Sequence, residues 1–194
     1  MTIRRSAAAA VVALACIVAA AALPTPAAGH EIVLLFGHTA AGQLRIDADL
    51  HHPIGLPESI FPGIPGYALG EPAFHSTVFD DSTAGLFQPA AASNFQFVVT
   101  AADPGIGIYT PSGLLPLNTP VALGQPVVDY HPIWQIPAGP IGATYNITVK
   151  LQDTTGTYAD SGPLTIPFTT VPEPHGVALL ALGLVGLRRR RIPR

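Results

Sequence analysis

Histidines are the residues of this chain with the clearest capacity for chemistry. Several have acidic residues close by in the sequence, and imidazole together with carboxylate suits Zn, Cu or Ni. The sequence therefore supports the hypothesis of a Zn or Cu site built from clustered histidines. Six histidines lie between residues 30 and 131: His30, His38, His51, His52, His75 and His131. All except His38 are the candidate ligands.

Two local arrangements give the metal hypothesis more detail. If the chain is cut after Gly29, His30 becomes the N-terminus, and its amine and ring can chelate copper together, as in histidine-brace proteins. Asp129 and His131 are two residues apart, so on a strand their side chains share a face. The alternative is that the histidines are ordinary polar residues at strand ends and in loops, because the sequence has no His-x-His or His-x-x-x-His pair.

Other chemistries have weaker support. The acidic segments 153–156 and 80–82 lack the spacing of an EF-hand loop, and turn formation explains them better. No serine lies in a Gly-x-Ser-x-Gly elbow, and there is no phosphate-binding loop. Paired carboxylates such as Asp47 and Asp49 suit glycoside hydrolysis, but a small domain with the single tryptophan Trp134 makes a poor sugar cleft. We therefore predict that the protein is not an enzyme.

Short β-type runs separated by Gly/Pro clusters must position these residues. Residues 43–50 and 145–151 alternate between apolar and polar side chains, the period-two pattern of a half-buried strand. Between His30 and Val171 no segment shows a helical repeat with caps. The predicted strands are 31–36, 43–50, 74–79, 95–100, 106–109, 121–123, 133–136, 145–151, 157–158 and 164–170.

The strand pattern predicts an all-β passenger domain over residues 30–171. Several short strands joined by Gly/Pro turns favour a β-sandwich of Ig-like or jelly-roll type. Trp134 is expected to be a large core residue. Residues 52–72 are predicted to form a long loop, of the kind that is often functional or mobile.

The charge distribution limits the partners of this domain. Eleven of the twelve acidic residues but only two of the nine basic residues, Arg45 and Lys150, lie between His30 and Val171, a net charge of −9 with neutral histidines. Such a surface repels phosphate backbones, so nucleic-acid binding is not expected. The single cysteine, Cys16, lies outside this stretch, which leaves the domain without disulfides or thiolate chemistry.

Residues 1–29 have the pattern of a signal peptide. Arg4 and Arg5 precede an uncharged apolar run at 7–23, which is followed by prolines and small residues. Signal peptidase is the expected partner, cutting after Gly29 or within the alanines at 20–22. The alternatives are a retained anchor helix and lipidation at Cys16, which lies in a partial lipobox.

The other end of the chain has a different ordered pattern, expected to begin at residue 172. A Pro-Glu-Pro signal precedes an apolar run at 176–187, and four consecutive arginines follow the run. The positive-inside rule places these arginines in the cytoplasm. As a helix the run measures only about 18 Å, against a bilayer core of about 30 Å, so anchoring is expected to be transient. The signal residues are Pro172, Glu173, Pro174, Arg188, Arg189, Arg190 and Arg191.

This ordered tail resembles the PEP-CTERM family of bacterial sorting tails, and the passenger is similar to uncharacterised passengers of that family. The resemblance implies recognition by a membrane-embedded exosortase, with cleavage near the Pro-Glu-Pro motif. It also implies transfer toward the cell surface or an extracellular polysaccharide matrix.

Two functions follow as hypotheses. The first is a non-enzymatic protein of the cell surface or extracellular matrix, sorted through its tail. The alternative is a periplasmic or surface protein that binds a divalent metal through the clustered histidines. Convergence of His30, His51, His52, His75 and His131 in space would favour the alternative.

Overall fold

The computed structural model describes residues 32–172, and these residues form an all-β domain. The predicted fold class is therefore confirmed. The predicted signal peptide and the apolar run of the tail lie outside the described residues. The strands are β1 Val33–His38, β2 Leu44–Asp47, β3 Ile54–Leu56, β4 Tyr67–Leu69, β5 Ala73–Ser76, β6 Phe95–Ala102, β7 Gly107–Thr110, β8 Gly113–Leu114, β9 Pro120–Gly124, β10 Asp129–Tyr130, β11 Trp134–Ile136, β12 Thr144–Asp153 and β13 Leu164–Thr170.

Three sheets make up the domain. The first has the order β10-β5-β1-β2, the second β4-β11-β7-β8, and the third β3-β13-β12-β6-β9. Most neighbouring strands are antiparallel, but β1 pairs with β5 and β13 pairs with β3 in parallel. The first sheet concerns function most, because its edge strand β10 and its neighbour β5 carry residues of the candidate site.

Aromatic contacts join strands of different sheets in one core. Phe74 of the first sheet stacks on Phe97 of the third, with ring centroids 4.5 Å apart. Trp134 of the second sheet packs on Phe168 of the third at 5.4 Å. Burial of this apolar surface is the main term that stabilises the sandwich. Trp134 is fully buried, which confirms the expectation that it is a large core residue.

The alternation in the sequence identifies the buried faces correctly. Along β12, Ile147, Val149 and Leu151 are fully buried, while the residues between them are less so. In β2, Leu44 is buried and Ile46 packs against the core from a partly buried position. Period-two patterning alone thus predicts which face of a strand turns inward.

Four expectations about element bounds were wrong. The strand predicted at 43–50 ends at Asp47. Residues 52–72 are not one loop, because β3 and β4 form within them and pair with β13 and β11. Residues 157–158 form no strand. The strand predicted at 74–79 ends at Ser76, and Phe79 is exposed. Short edge segments depend on pairing partners distant in the sequence, which local periodicity does not show.

Among the described residues, no helix is long and apolar enough to cross a membrane.

Candidate metal centre

The pairing of β10 with β5 sets the geometry of the candidate site. Asp129 is the register partner of His75 in this antiparallel pair, and directly opposed residues project to the same face of a sheet. In β5 the side chain of His75 is partly exposed between the buried Phe74 and Ser76. His131 follows Asp129 by two residues, so the chain returns it to the same side.

These three side chains converge. Nε2 of His75 is 3.2 Å from Oδ1 of Asp129, and Nε2 of His131 is 2.9 Å from the same oxygen. One ligand atom from each residue lies within 4.8 Å of the other two. We call this group, His75, Asp129 and His131, the His–Asp–His cluster.

Glu71 adds a second carboxylate on the other edge of the His131 ring. Its Oε1 is 3.2 Å from Nδ1 of His131. Its Oε2 is buried and has no hydrogen-bond partner within residues 32–172. The backbone next to Glu71 is held in the core, because Trp134 Nε1 donates a hydrogen bond of 3.0 Å to the Pro72 carbonyl.

The electrostatics of the cluster favour a positive charge. Burial works to lower the pKa of His131, but the charge of Glu71 and the hydrogen bond and charge of Asp129 outweigh it. The pKa of His131 is therefore raised from its ordinary value of 6.5, with a further contribution from the Gly70 backbone. Two carboxylates therefore lie beside the His131 ring and favour its protonated form.

The structure brings together only part of the predicted histidine set. His75 and His131 join the cluster. His51 instead faces Asp49 at 3.8 Å, with the two side chains 89% and 84% exposed, and the neighbouring His52 is exposed as well. His30 lies outside the described residues. His38, which was not a candidate, stacks on Tyr158 with ring centroids 4.6 Å apart.

Sequence reasoning only partly anticipated the acidic members. The spacing of Asp129 and His131 correctly placed them on one side of the chain. No signal in the sequence connects Glu71 with His131, or His75 with Asp129, because both contacts depend on the packing of distant segments.

The acidic turns have a structural role. Asp153 accepts hydrogen bonds from the backbone N–H groups of Asn94, Thr155, Thr157 and Tyr158. Asp81 likewise accepts from the backbone of Thr83 and Ala84. Carboxylate oxygens already engaged by backbone donors are poorly placed to bind calcium, and the arrangement is that of turns.

The chain carries a PEP-CTERM protein-sorting motif, because residues 170–191 match the family model of that description. The match includes the Pro-Glu-Pro signal and the four arginines, so the tail predicted from the sequence is confirmed. No curated protein and no solved structure matches the chain. The motif marks an exported protein that an exosortase-type enzyme sorts to the cell envelope.

Proposed function

We propose that this protein is a non-enzymatic protein of the cell surface or extracellular matrix whose β-sandwich binds a divalent metal ion, Zn or Cu. The observation that carries the metal assignment is the convergence of His75, Asp129 and His131 within 4.8 Å. Two imidazole nitrogens close to one carboxylate oxygen form a nitrogen-rich donor set. Such a set favours Zn or Cu over Ca or Mg, which prefer oxygen ligands.

The surroundings of the cluster suit an ion that arrives from solution. The side chains of His75, His131 and Asp129 are 27%, 44% and 67% exposed. Since Nε2 of His75 itself is buried, an ion approaches from the side of His131 and Asp129. The net charge of −9 between His30 and Val171, from eleven acidic and two basic residues, raises the local concentration of cations.

The position of the cluster supports binding rather than turnover. The cluster lies on β5 and at the end of edge strand β10 of the first sheet. A cavity of about 250 Å³ is found elsewhere, lined by residues of β2 and the start of β13, and none of the cluster residues lines it. A metal on an open sheet edge binds or stabilises more readily than it encloses a substrate.

The sorting tail supports the proposed location. The domain is held briefly in the membrane by the apolar run and is released when an exosortase-type enzyme cuts near Pro172. An extracellular polysaccharide is a partner consistent with this destination. Cell fractionation tests the location: the processed chain is expected at the surface or in the matrix, and an intact chain confined to the cytoplasm contradicts it.

Metal titration tests the binding function. The full chain, stripped with chelator, is titrated with Zn(II), Cu(II) and Fe(II), because a two-histidine, one-carboxylate set also suits Fe(II). We expect one ion of Zn or Cu per chain at micromolar concentrations. Loss of binding in His75→Ala and His131→Ala, with binding kept in the matched control His51→Ala, supports the cluster as the site. Absence of retained metal in the wild-type chain overturns the proposal.

A further inference from the structure

We propose that Glu71 is a positioning residue rather than a metal ligand, which leaves the bound ion with three protein donors and one coordination position open to a non-protein ligand. This inference rests on the proposed metal-binding function. It assigns Glu71 the task of holding the His131 ring so that Nε2 faces the ion.

The geometry of the His131 ring separates the two carboxylates. Nε2 is 2.9 Å from Asp129 Oδ1, and Nδ1 is 3.2 Å from Glu71 Oε1. The two nitrogens of an imidazole point away from each other, so a single ion binds only one of them. Since Nε2 of His75 also lies 3.2 Å from Asp129 Oδ1, the ion belongs on the Nε2 side and Glu71 lies behind the ring.

The set of ligand atoms that converge also excludes Glu71 as a metal ligand. The ligand atoms within 4.8 Å of one another come from His75, Asp129 and His131, and Glu71 is outside that set. Its Oε2 is buried, and the adjacent Pro72 carbonyl is tied to Trp134 in the core. A carboxylate so fixed holds a ring in place more readily than it moves to ligate an ion.

The Glu71 carboxylate oxygen beside Nδ1, at 3.2 Å, has a chemical consequence for the ion. It selects the tautomer of His131 in which Nε2 carries the lone pair, fixes the ring orientation, and makes Nε2 a stronger donor. The removal of such an outer-shell partner typically lowers metal affinity about 10-fold to 100-fold.

The open position follows from counting donors. A Zn(II) or Co(II) ion with three protein ligands completes a tetrahedron with water or with a small anion. The partial exposure of His131 and Asp129 gives such an anion access. If Glu71 were a fourth ligand, the site would be closed and structural.

Co(II) substitution of the full chain distinguishes the two arrangements, because its visible absorption reports the donor set. We expect Glu71→Ala to bind Co(II) about 10-fold to 100-fold more weakly than wild type, with the absorption envelope of the saturated protein unchanged. Glu71→Gln, which keeps a carbonyl oxygen beside Nδ1, should recover part of that affinity. Asp129→Asn, a ligand variant, should change the envelope or abolish binding.

Controls connect each outcome to one claim. Glu58→Gln removes an exposed charge and should bind as wild type. Thermal unfolding of each metal-free variant shows whether the fold is retained. Thiocyanate added to the Co(II) protein should shift the spectrum if a position is open.

Different results overturn different claims. A wild-type chain that does not bind Co(II), Zn(II) or Cu(II) overturns the metal function itself. A wild type that binds, together with a Glu71→Ala variant of equal affinity or altered envelope, overturns only the role of Glu71. A spectrum insensitive to thiocyanate overturns the open position.

Discussion

Asp129 lies directly opposite His75 in the pairing of β10 with β5, and its Oδ1 is 3.2 Å from His75 Nε2. This contact depends on strand register. A slip of one residue would turn Asp129 to the opposite face of the sheet and separate the two side chains. The candidate metal site therefore forms only when the two-residue strand β10 pairs in this register at the edge of the first sheet.

Metal binding should stabilise the fold. An ion that binds only the folded chain adds about 2.7 kcal/mol to the free energy of unfolding when its free concentration is 100 times the dissociation constant. We expect Zn(II) to raise the thermal midpoint of the wild-type chain and of His52→Ala. An equal rise in the double variant His75→Ala/His131→Ala would show that the effect has another origin.

Asp153 should be among the most sensitive polar residues of the domain. It is 9% exposed and accepts from the backbone of Thr155, Thr157 and Tyr158 through its two oxygens. Replacement by alanine leaves these donors without their partner, at an expected cost of about 3 kcal/mol in the free energy of unfolding. Urea unfolding measures this. A loss below about 0.5 kcal/mol, the level of an ordinary surface substitution, would contradict the role.

Asp153 should also contribute to the dependence of the free energy of unfolding on pH in the acidic range. Burial works to raise its pKa, but hydrogen bonds from Thr155, Tyr158 and Asn94 outweigh burial and lower the pKa from 3.8. Because the folded chain has the lower pKa, the stabilisation is present above the unfolded value and is lost as pH falls through the folded value.

Unfolding of Asp153→Asn across acidic pH measures this effect. The stability of the variant should depend less steeply on pH than that of wild type in this range. Asp160→Asn is a suitable comparison, since the Lys150 side chain lowers the pKa of Asp160 but the carboxylate is 38% exposed. Its effect should be smaller. If the free energy of unfolding depends on acidic pH in the same way in wild type and in Asp153→Asn, the lowered pKa of Asp153 is contradicted.

Trp134 should support both the core and the candidate site. Trp134→Phe removes the Nε1–H group that donates to the Pro72 carbonyl. It also replaces a fully buried indole with a smaller ring. We expect a loss of about 1–3 kcal/mol in the free energy of unfolding, together with weaker Zn(II) affinity because Glu71 adjoins Pro72. Calorimetric titration of the folded variant checks the second effect, and unchanged affinity would show that Glu71 is held by other contacts.

Gly66 should tolerate no side chain. Its φ is +80°, and a Cβ there would collide with the backbone oxygens of Ile136 and Pro137. Gly63 is the matched control, since its φ of +79° is similar but no atom lies within 4 Å of an added Cβ. Gly66→Ala should destabilise the chain by more than Gly63→Ala, which carries only the backbone penalty of about 1 kcal/mol. Equal losses would mean that the backbone at Gly66 shifts freely.

Local pattern predicted much of the fold. The alternation of Ile147, Val149 and Leu151 identified the buried face of β12, since a side chain in a strand points opposite to its neighbour whatever the tertiary fold. The same logic missed β3 and β4. Those three-residue strands form because β13 and β11 offer them a pairing edge, and no sequence period shows that.

The sequence by itself determined the sorting tail, the all-β class and the inward faces of the long strands. Each of these depends on neighbours in the chain: a linear signal that an enzyme recognises, or a period that repeats every two residues. Only the tertiary structure decided which histidines meet. His75 and His131 join Asp129, while His51 faces Asp49 in solvent, because convergence depends on the register of β10 with β5. That strand pairing connects segments far apart in the chain, and the residue types alone do not predict it.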